Sequence, residues 1–110
     1  MAEPTLEDIF GTGATQNATD LVIKKSALAA KGLNPSATNT AESMFVALML
    51  QASSTLTETA RSSDTLGRSL VLTYSGQDLL DQGGINFRRD SFVLSMYRQQ
   101  NLATIDPDDY

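Results

Sequence analysis

The stretch Ser69–Arg98, SLVLTYSGQDLLDQGGINFRRDSFVLSMYR, decides the fold. From Ser69 to Ser75 it alternates, with Leu70, Leu72 and Tyr74 on one side and Val71 and Thr73 on the other. Residues 91–97 repeat the pattern, with Phe92, Leu94 and Met96 inward and Val93, Ser95 and Tyr97 outward. Alternation of this kind marks a strand with one buried face. The predicted strands, 69–76 and 91–98, pair antiparallel across a turn-rich connection from Gln77 to Gly84. Ile85 and Phe87 occupy odd positions, whereas the following strand uses even ones. That change of parity predicts a β-bulge near Arg88–Asp90, or a break between two strands. A sheet this small has open edges unless a neighbour covers them.

Upstream of the strands, Asn39 or Thr40 starts the main helix, predicted over 40–60. Glu42 lies three residues after Asn39, where its carboxylate can meet first-turn amides. Met44–Leu50 is apolar all round, so most of the helix circumference is expected to be buried there. Phe45, Leu48, Met49 and Leu56 are the expected core, with Leu70, Leu72, Phe92 and Leu94 facing them. Before the helix, Leu21–Lys24 reads as a short strand. Ser26 reads as the cap of a short helix, Ala27–Lys31, which Gly32 stops. Residues 61–67 read as a linker. The fold class is α+β: a small antiparallel sheet packed on one main helix, with extended N- and C-terminal arms.

Charge separates the chain into three parts. Residues 20–100 carry eight basic and seven acidic side chains, a balance of +1. Residues 1–19 add Glu3, Glu7 and Asp8, and 101–110 add Asp106, Asp108 and Asp109, which brings the total to −5. The expected organisation is an extended arm over 1–19, one α+β domain over 20–100, and an acidic arm over 101–110. Residues 11–20, GTGATQNATD, lack any period and read as loop or extended arm. An acidic surplus on arms argues against nucleic acid as a partner, because phosphate contacts need clustered Lys and Arg. No apolar run approaches the ~18 residues of a membrane span. The acidic start, MAEPTLEDIF, does not read as a secretory signal.

Catalytic chemistry is sparse in this composition. The chain has no His and no Cys, which removes thiolate nucleophiles, His-based triads and the soft-metal ligand sets. Gly11-Thr12-Gly13 lacks the Lys-Ser/Thr of a phosphate loop. Asp78 and Asp81 miss the spacing of a calcium loop. Asp106, Asp108 and Asp109 with the Tyr110 carboxylate read as a solvated or Arg-paired tail rather than a cation site. Lys25-Ser26 as a dyad and Asp90 with Asp78 or Asp81 as acid and base have nothing to fix their geometry. The expectation is no enzyme, no cofactor and no bound metal. The candidate functional residues are apolar side chains set in the polar arms: Leu6, Ile9 and Phe10 at one end, with Leu102, Ile105 and Tyr110 at the other. Leu6, Ile9, Phe10, Ile105 and Tyr110 are the predicted partner-binding anchors.

The segments TLEDIFGTGATQNATDLVIKKSAL, GLNPSATNTAESMF and TIDPDDY resemble small structural proteins of tailed bacteriophages, cyanophages among them. The resemblance implies a non-enzymatic subunit of the capsid surface, neck, tail or baseplate. Such a subunit would bind other virion proteins, itself included as a homo-oligomer, and would be assembled in the host cytoplasm. It would assemble through its terminal arms. The alternative from charge alone is a stand-alone acidic binding module, an adaptor or an inhibitor of a basic partner.

Overall fold

The computed structural model describes residues 3–98 and 105–110. Leu102 and the rest of 99–104 lie outside that range. The architecture is α+β with two antiparallel sheets of two strands each. Helix α1 (Leu6–Phe10) leads into a small ribbon, β1 (Thr15–Gln16) with β2 (Leu21–Val22). A 3₁₀ segment, Lys25–Lys31, precedes helices α2 (Ala41–Thr55) and α3 (Glu58–Ser63). A long hairpin follows, β3 (Leu70–Gln82) with β4 (Ile85–Met96).

The first element corrects the expectation of an extended N-terminal arm. Thr5 Oγ1 accepts from the Asp8 amide at 3.1 Å, and the Asp8 carboxylate accepts from the Thr5 amide at 2.9 Å. This reciprocal capping box satisfies two first-turn donors and starts α1. The same bonds hold the Asp8 carboxyl below its ordinary range, the Thr5 amide being the main cause. The helix then docks on α2: Gln51 Nε2 and Thr55 Oγ1 both donate to the Asp8 carbonyl, at 3.2 and 2.9 Å. Residues 11–20, expected to lack regular structure, include β1. Asn17 Oδ1 accepts from the Thr19 and Asp20 amides and closes the turn into β2. The strand expected over 21–24 keeps only Leu21–Val22.

Ser26 is not a cap. The 3₁₀ segment begins after Lys24 with no side-chain cap, and Gly32 ends it in the left-handed region at φ +99°. The cap of α2 is Thr40, whose Oγ1 accepts from the Ser43 amide at 3.1 Å. Asn39 instead ties the preceding loop, accepting from the Ser36 amide and donating to the Asn34 carbonyl.

The single helix expected over 40–60 is broken in two. Thr57 Oγ1 accepts from the Ala60 amide and starts α3. Leu56, 4% exposed, turns inward between the helices, and its carbonyl accepts from the Leu72 amide at 2.9 Å. The expected linker 61–67 is therefore part helix and part turn, the turn closed by Asp64 Oδ1 accepting from the Gly67 amide.

The core centres on Leu28, Leu33 and Ala47, with Ile23 and Met44 packed against them. Leu56 is as buried as expected, Leu48 and Met49 are half-buried, and Phe45 is 66% exposed. The cause lies in the run Met44–Leu50, which is apolar on every side and so carries no polar stripe to say which face turns inward. The small residues Ala47 and Ala52 take the inner face.

In the hairpin, Leu70 pairs with Met96, Leu72 with Leu94 and Tyr74 with Phe92, which is the antiparallel arrangement the alternation predicts. The bulge lies elsewhere than expected. Strand β4 runs unbroken from Ile85 to Met96, and the irregularity falls between Tyr74 and Gly76 on β3. Ser75 is the extra residue, and its hydroxyl donates to the Ser91 carbonyl at 3.1 Å. The parity change in β4 is thus a change of apolar face along one continuous strand. Residues 77–82, expected within the connection, are strand, and the turn is Gly83-Gly84, at φ +60° and +81°. Both angles suit a type I′ turn, which matches the twist of the strands. Helices α2 and α3 lie against β3. Leu94 shares the face of Leu72, yet it stands exposed on β4 rather than covered by α2, as does Met96.

Candidate functional site

The hairpin gives the molecule its shape. Its radius of gyration is 16.4 Å and its extents are 48 × 31 × 26 Å. A compact chain of this length would have a radius near ~13 Å. Strands of 13 and 12 residues reach about 40 Å at ~3.3 Å per residue, so the hairpin sets the long axis. From Gln77 to Asp90 every residue is exposed except Leu80, which is half-buried.

Directly paired residues share a face. One face carries Tyr74, Gln77 and Leu79 from β3 with Phe92, Asp90 and Arg88 from β4. Where this face meets α2, an open groove of about 710 Å³ has Val46, Met49 and Leu50 on the helix side and Phe92 opposite them. Its polar wall is a short network. Tyr74 Oη donates to Asp90 Oδ1 at 2.7 Å, and Arg88 holds Asp90 Oδ2 from Nε at 3.1 Å. The Tyr74 hydrogen bond and then Arg88 lower the Asp90 carboxyl below its ordinary range, and Asp90 raises the Tyr74 phenol in turn. The Tyr74 and Phe92 rings meet edge to face at 5.3 Å.

The opposite face carries Asp78 with Arg89, and Leu80 with Phe87. Arg89 donates to both Asp78 oxygens, Nε to Oδ1 at 3.0 Å and an Nη to Oδ2 at 2.6 Å. Planar bidentate pairing is the strong form of this contact. It lowers the Asp78 carboxyl and raises the Arg89 guanidinium. Large apolar side chains stand exposed on both faces of the hairpin. Leu79 is 78% exposed, and Ile85, Phe87, Val93, Leu94 and Met96 are all exposed as well. Single exposed apolar residues are ordinary; here several stand on one projecting element, spread over both of its faces.

The sequence-predicted anchors fall in two places. Leu6, Ile9 and Phe10 come together on α1, each half-buried, and α1 packs on α2 of the same chain. Ile105 is 69% exposed, and Tyr110 is half-buried beside a 3₁₀ turn at Pro107–Asp109. Asp106 caps that turn, its Oδ1 accepting from the Asp108 amide at 3.0 Å. Among the described residues no group of three or more acidic side chains comes together. At Gly11-Thr12-Gly13, the Gly13 amide donates to Glu7 Oε2 at 2.6 Å, so a carboxylate of the chain itself takes the position a phosphate would need. Lys25 Nζ donates to the Ser36 carbonyl, away from Ser26. Asp78 lies on the opposite hairpin face from Asp81 and Asp90, which prevents it from pairing with either.

Sequence reasoning missed the hairpin tip. The available signal was Gly83-Gly84 between apolar residues on both sides, a two-residue hairpin pattern. No family model, curated protein or solved structure matches the chain.

Proposed function

We propose that the chain is a non-enzymatic structural subunit that works by contact with other subunits, and that the projecting hairpin is its principal contact element. The observation that carries this reading is the exposure of large apolar side chains on both faces of the hairpin, Leu79 on one and Ile85 and Phe87 on the other. An isolated two-stranded ribbon is marginal in water, and three or more strands or a packed helix are needed to hold one. Beyond the reach of α2 and α3, this hairpin has neither within its own chain among the described residues. A neighbouring subunit would supply it.

The resemblance to tailed-phage structural proteins suggests the setting: a virion part such as the neck, tail, baseplate or capsid surface, assembled in the host cytoplasm. The exposed Ile105 beside the acidic C-terminal turn makes that end a secondary contact. The N-terminal anchors are largely committed at home, on α2.

The test is the full-length chain in solution, followed by light scattering over a range of concentrations. The expected result is a mass above 11.8 kDa that rises with concentration. Leu79→Ser with Ile85→Ser is expected to return the mass to that of one chain, with the fold retained by circular dichroism. A chain that stays monomeric at every concentration, with the amides of 77–90 already protected from exchange, overturns the reading and favours a stand-alone acidic module.

A further inference from the structure

Among the described residues, β3 and β4 have only each other as strand partners; the base of β3 is taken at Leu72 by the Leu56 carbonyl, and from Gly76 to the turn both outer edges are open. Proteins usually guard such edges with charge. Here the charges are sorted by strand. The only charged residues of β3 are Asp78 and Asp81, and those of β4 are Arg88, Arg89 and Asp90. This pattern opposes a β3 edge meeting another β3 edge, because the two strands at that seam would carry only carboxylates, Asp78 on one face and Asp81 on the other. It does not oppose β4 of one copy meeting β3 of the next.

The register sharpens the point. Inside the hairpin Arg89 stands level with Asp78, and the pair is bidentate. If a second copy is placed beside the first at the same height, its Asp78 comes level with the first copy's Arg89 across the new edge. Each Arg89 would then sit between two Asp78 carboxylates. Strand direction also agrees: β3 and β4 alternate, so every new neighbour is antiparallel. We infer that the hairpins of successive copies of this chain join edge to edge, β4 of one to β3 of the next. The contact is heterologous, and so it repeats from copy to copy into a ring or a filament rather than stopping at a two-fold dimer.

This inference rests on the assembly reading proposed above and names its partner as a second copy. The test mixes wild-type chain with the charge-swapped variant Asp78→Arg/Arg89→Asp, one of them isotopically labelled, and counts mixed oligomers by native mass spectrometry. The swap keeps an opposite-charge pair inside each hairpin and between like copies. Where wild type meets variant, the edges present like charges, which are unfavourable when directly opposite. The expected result is that each protein assembles alone and the two sort apart. Mixed oligomers should fall roughly threefold or more below the statistical share at about 0.01 M salt, and sorting should fade near 1 M, where screening shortens to ~3 Å.

Enrichment of mixed species overturns the inference, because a two-fold β4–β4 contact sets the wild-type guanidinium at position 89 against the variant's acid. Statistical mixing at low salt overturns it as well. In both cases the assembly reading stands, since oligomers form. If both proteins are monomeric alone and together, the assembly reading fails along with the inference.

Discussion

The segment from Thr5 to Asp64 and the hairpin from Leu70 to Met96 are built on opposite plans. The first is tied by local caps: Thr5, Thr40 and Thr57 each hold a helix start, and Leu28, Leu33, Ala47 and Leu56 are buried beneath. The second has long regular pairing and almost no buried side chain beyond Val71, at 2% exposure. Burial supplies most of the favourable free energy of folding, so the helical segment provides the stability and the hairpin leans on it. The hairpin spends 27 residues without building a core of its own, which is why it is the element we propose to meet a neighbour. The contrast separates what stabilises this molecule from what it presents.

The largest expected effect breaks the comparison directly. Leu28→Ala or Leu56→Ala removes a buried side chain and leaves a cavity, at an expected cost of about 2–5 kcal/mol. Phe45→Ala, on the exposed side of α2, is expected to change stability by less than about 0.5 kcal/mol. Urea unfolding followed by circular dichroism measures both, at a concentration where the chain is monomeric. A Phe45→Ala cost as large as that of Leu56→Ala would mean that the core is not where the packing places it.

That contrast between Phe45 and Leu56 also shows what was legible in the sequence. Where apolar and polar residues alternated, as in Leu70–Tyr74 and Phe92–Met96, the pairing and the antiparallel register could be read, but not which face is buried: Val71, expected outward, is 2% exposed, whereas Leu94 and Met96, expected inward, are exposed. Where seven consecutive residues were apolar, as in Met44–Leu50, the helix was legible but its inward face was not. Leu56-Thr57 hid the helix break because Thr is a passable helix residue until its hydroxyl caps the next turn. The hairpin tip was obscured by Gly, Gln and Asp, which weaken a strand pattern on propensity alone. Its pairing comes from the long-range register set at the base and from the Gly83-Gly84 turn. The proposed contact surface was the least legible part, since exposure of Leu79, Ile85 and Phe87 is a property of the projecting hairpin and not of local sequence.

The turn offers an intermediate effect that sharpens the comparison. A Cβ added at Gly83 or Gly84 meets no atom within 4 Å, so a substitution there acts on the backbone alone. Both residues have positive φ, which costs an L-residue about 1–2 kcal/mol. Gly83→Val is expected to loosen 77–90 by about that much, read as faster amide exchange there, while the Leu28 and Ala47 amides keep their protection. In the other region Thr5→Ala removes the capping box and is expected to cost about 1 kcal/mol, with α1 freed from α2. Uniform loosening from the Gly83 substitution would show one cooperative unit and erase the distinction between the two regions.

The smallest effect is the response to acid. Asp8 in the helical segment and Asp78 and Asp90 in the hairpin all have carboxyls held below their ordinary range, by the Thr5 cap, by Arg89 and by Tyr74 with Arg88 respectively. A carboxyl that binds its proton less readily when folded adds stability at pH values above its unfolded value, near 3.9. That contribution is lost as pH falls through the lower folded value, so it disappears below about pH 4 and is absent at lower pH. The two hairpin carboxylates act on an element with little burial in reserve, whereas α1 keeps its docking bonds from Gln51 and Thr55 to the Asp8 carbonyl, which do not titrate. On lowering the pH from 6 to about 2.5, amide exchange is therefore expected to rise first in 77–90, after correction for its intrinsic pH dependence. Asp78→Asn should flatten much of that rise, because an amide cannot lose the charge that Arg89 binds. Equal sensitivity of α1 and the hairpin tip would show that local capping, rather than burial, governs both.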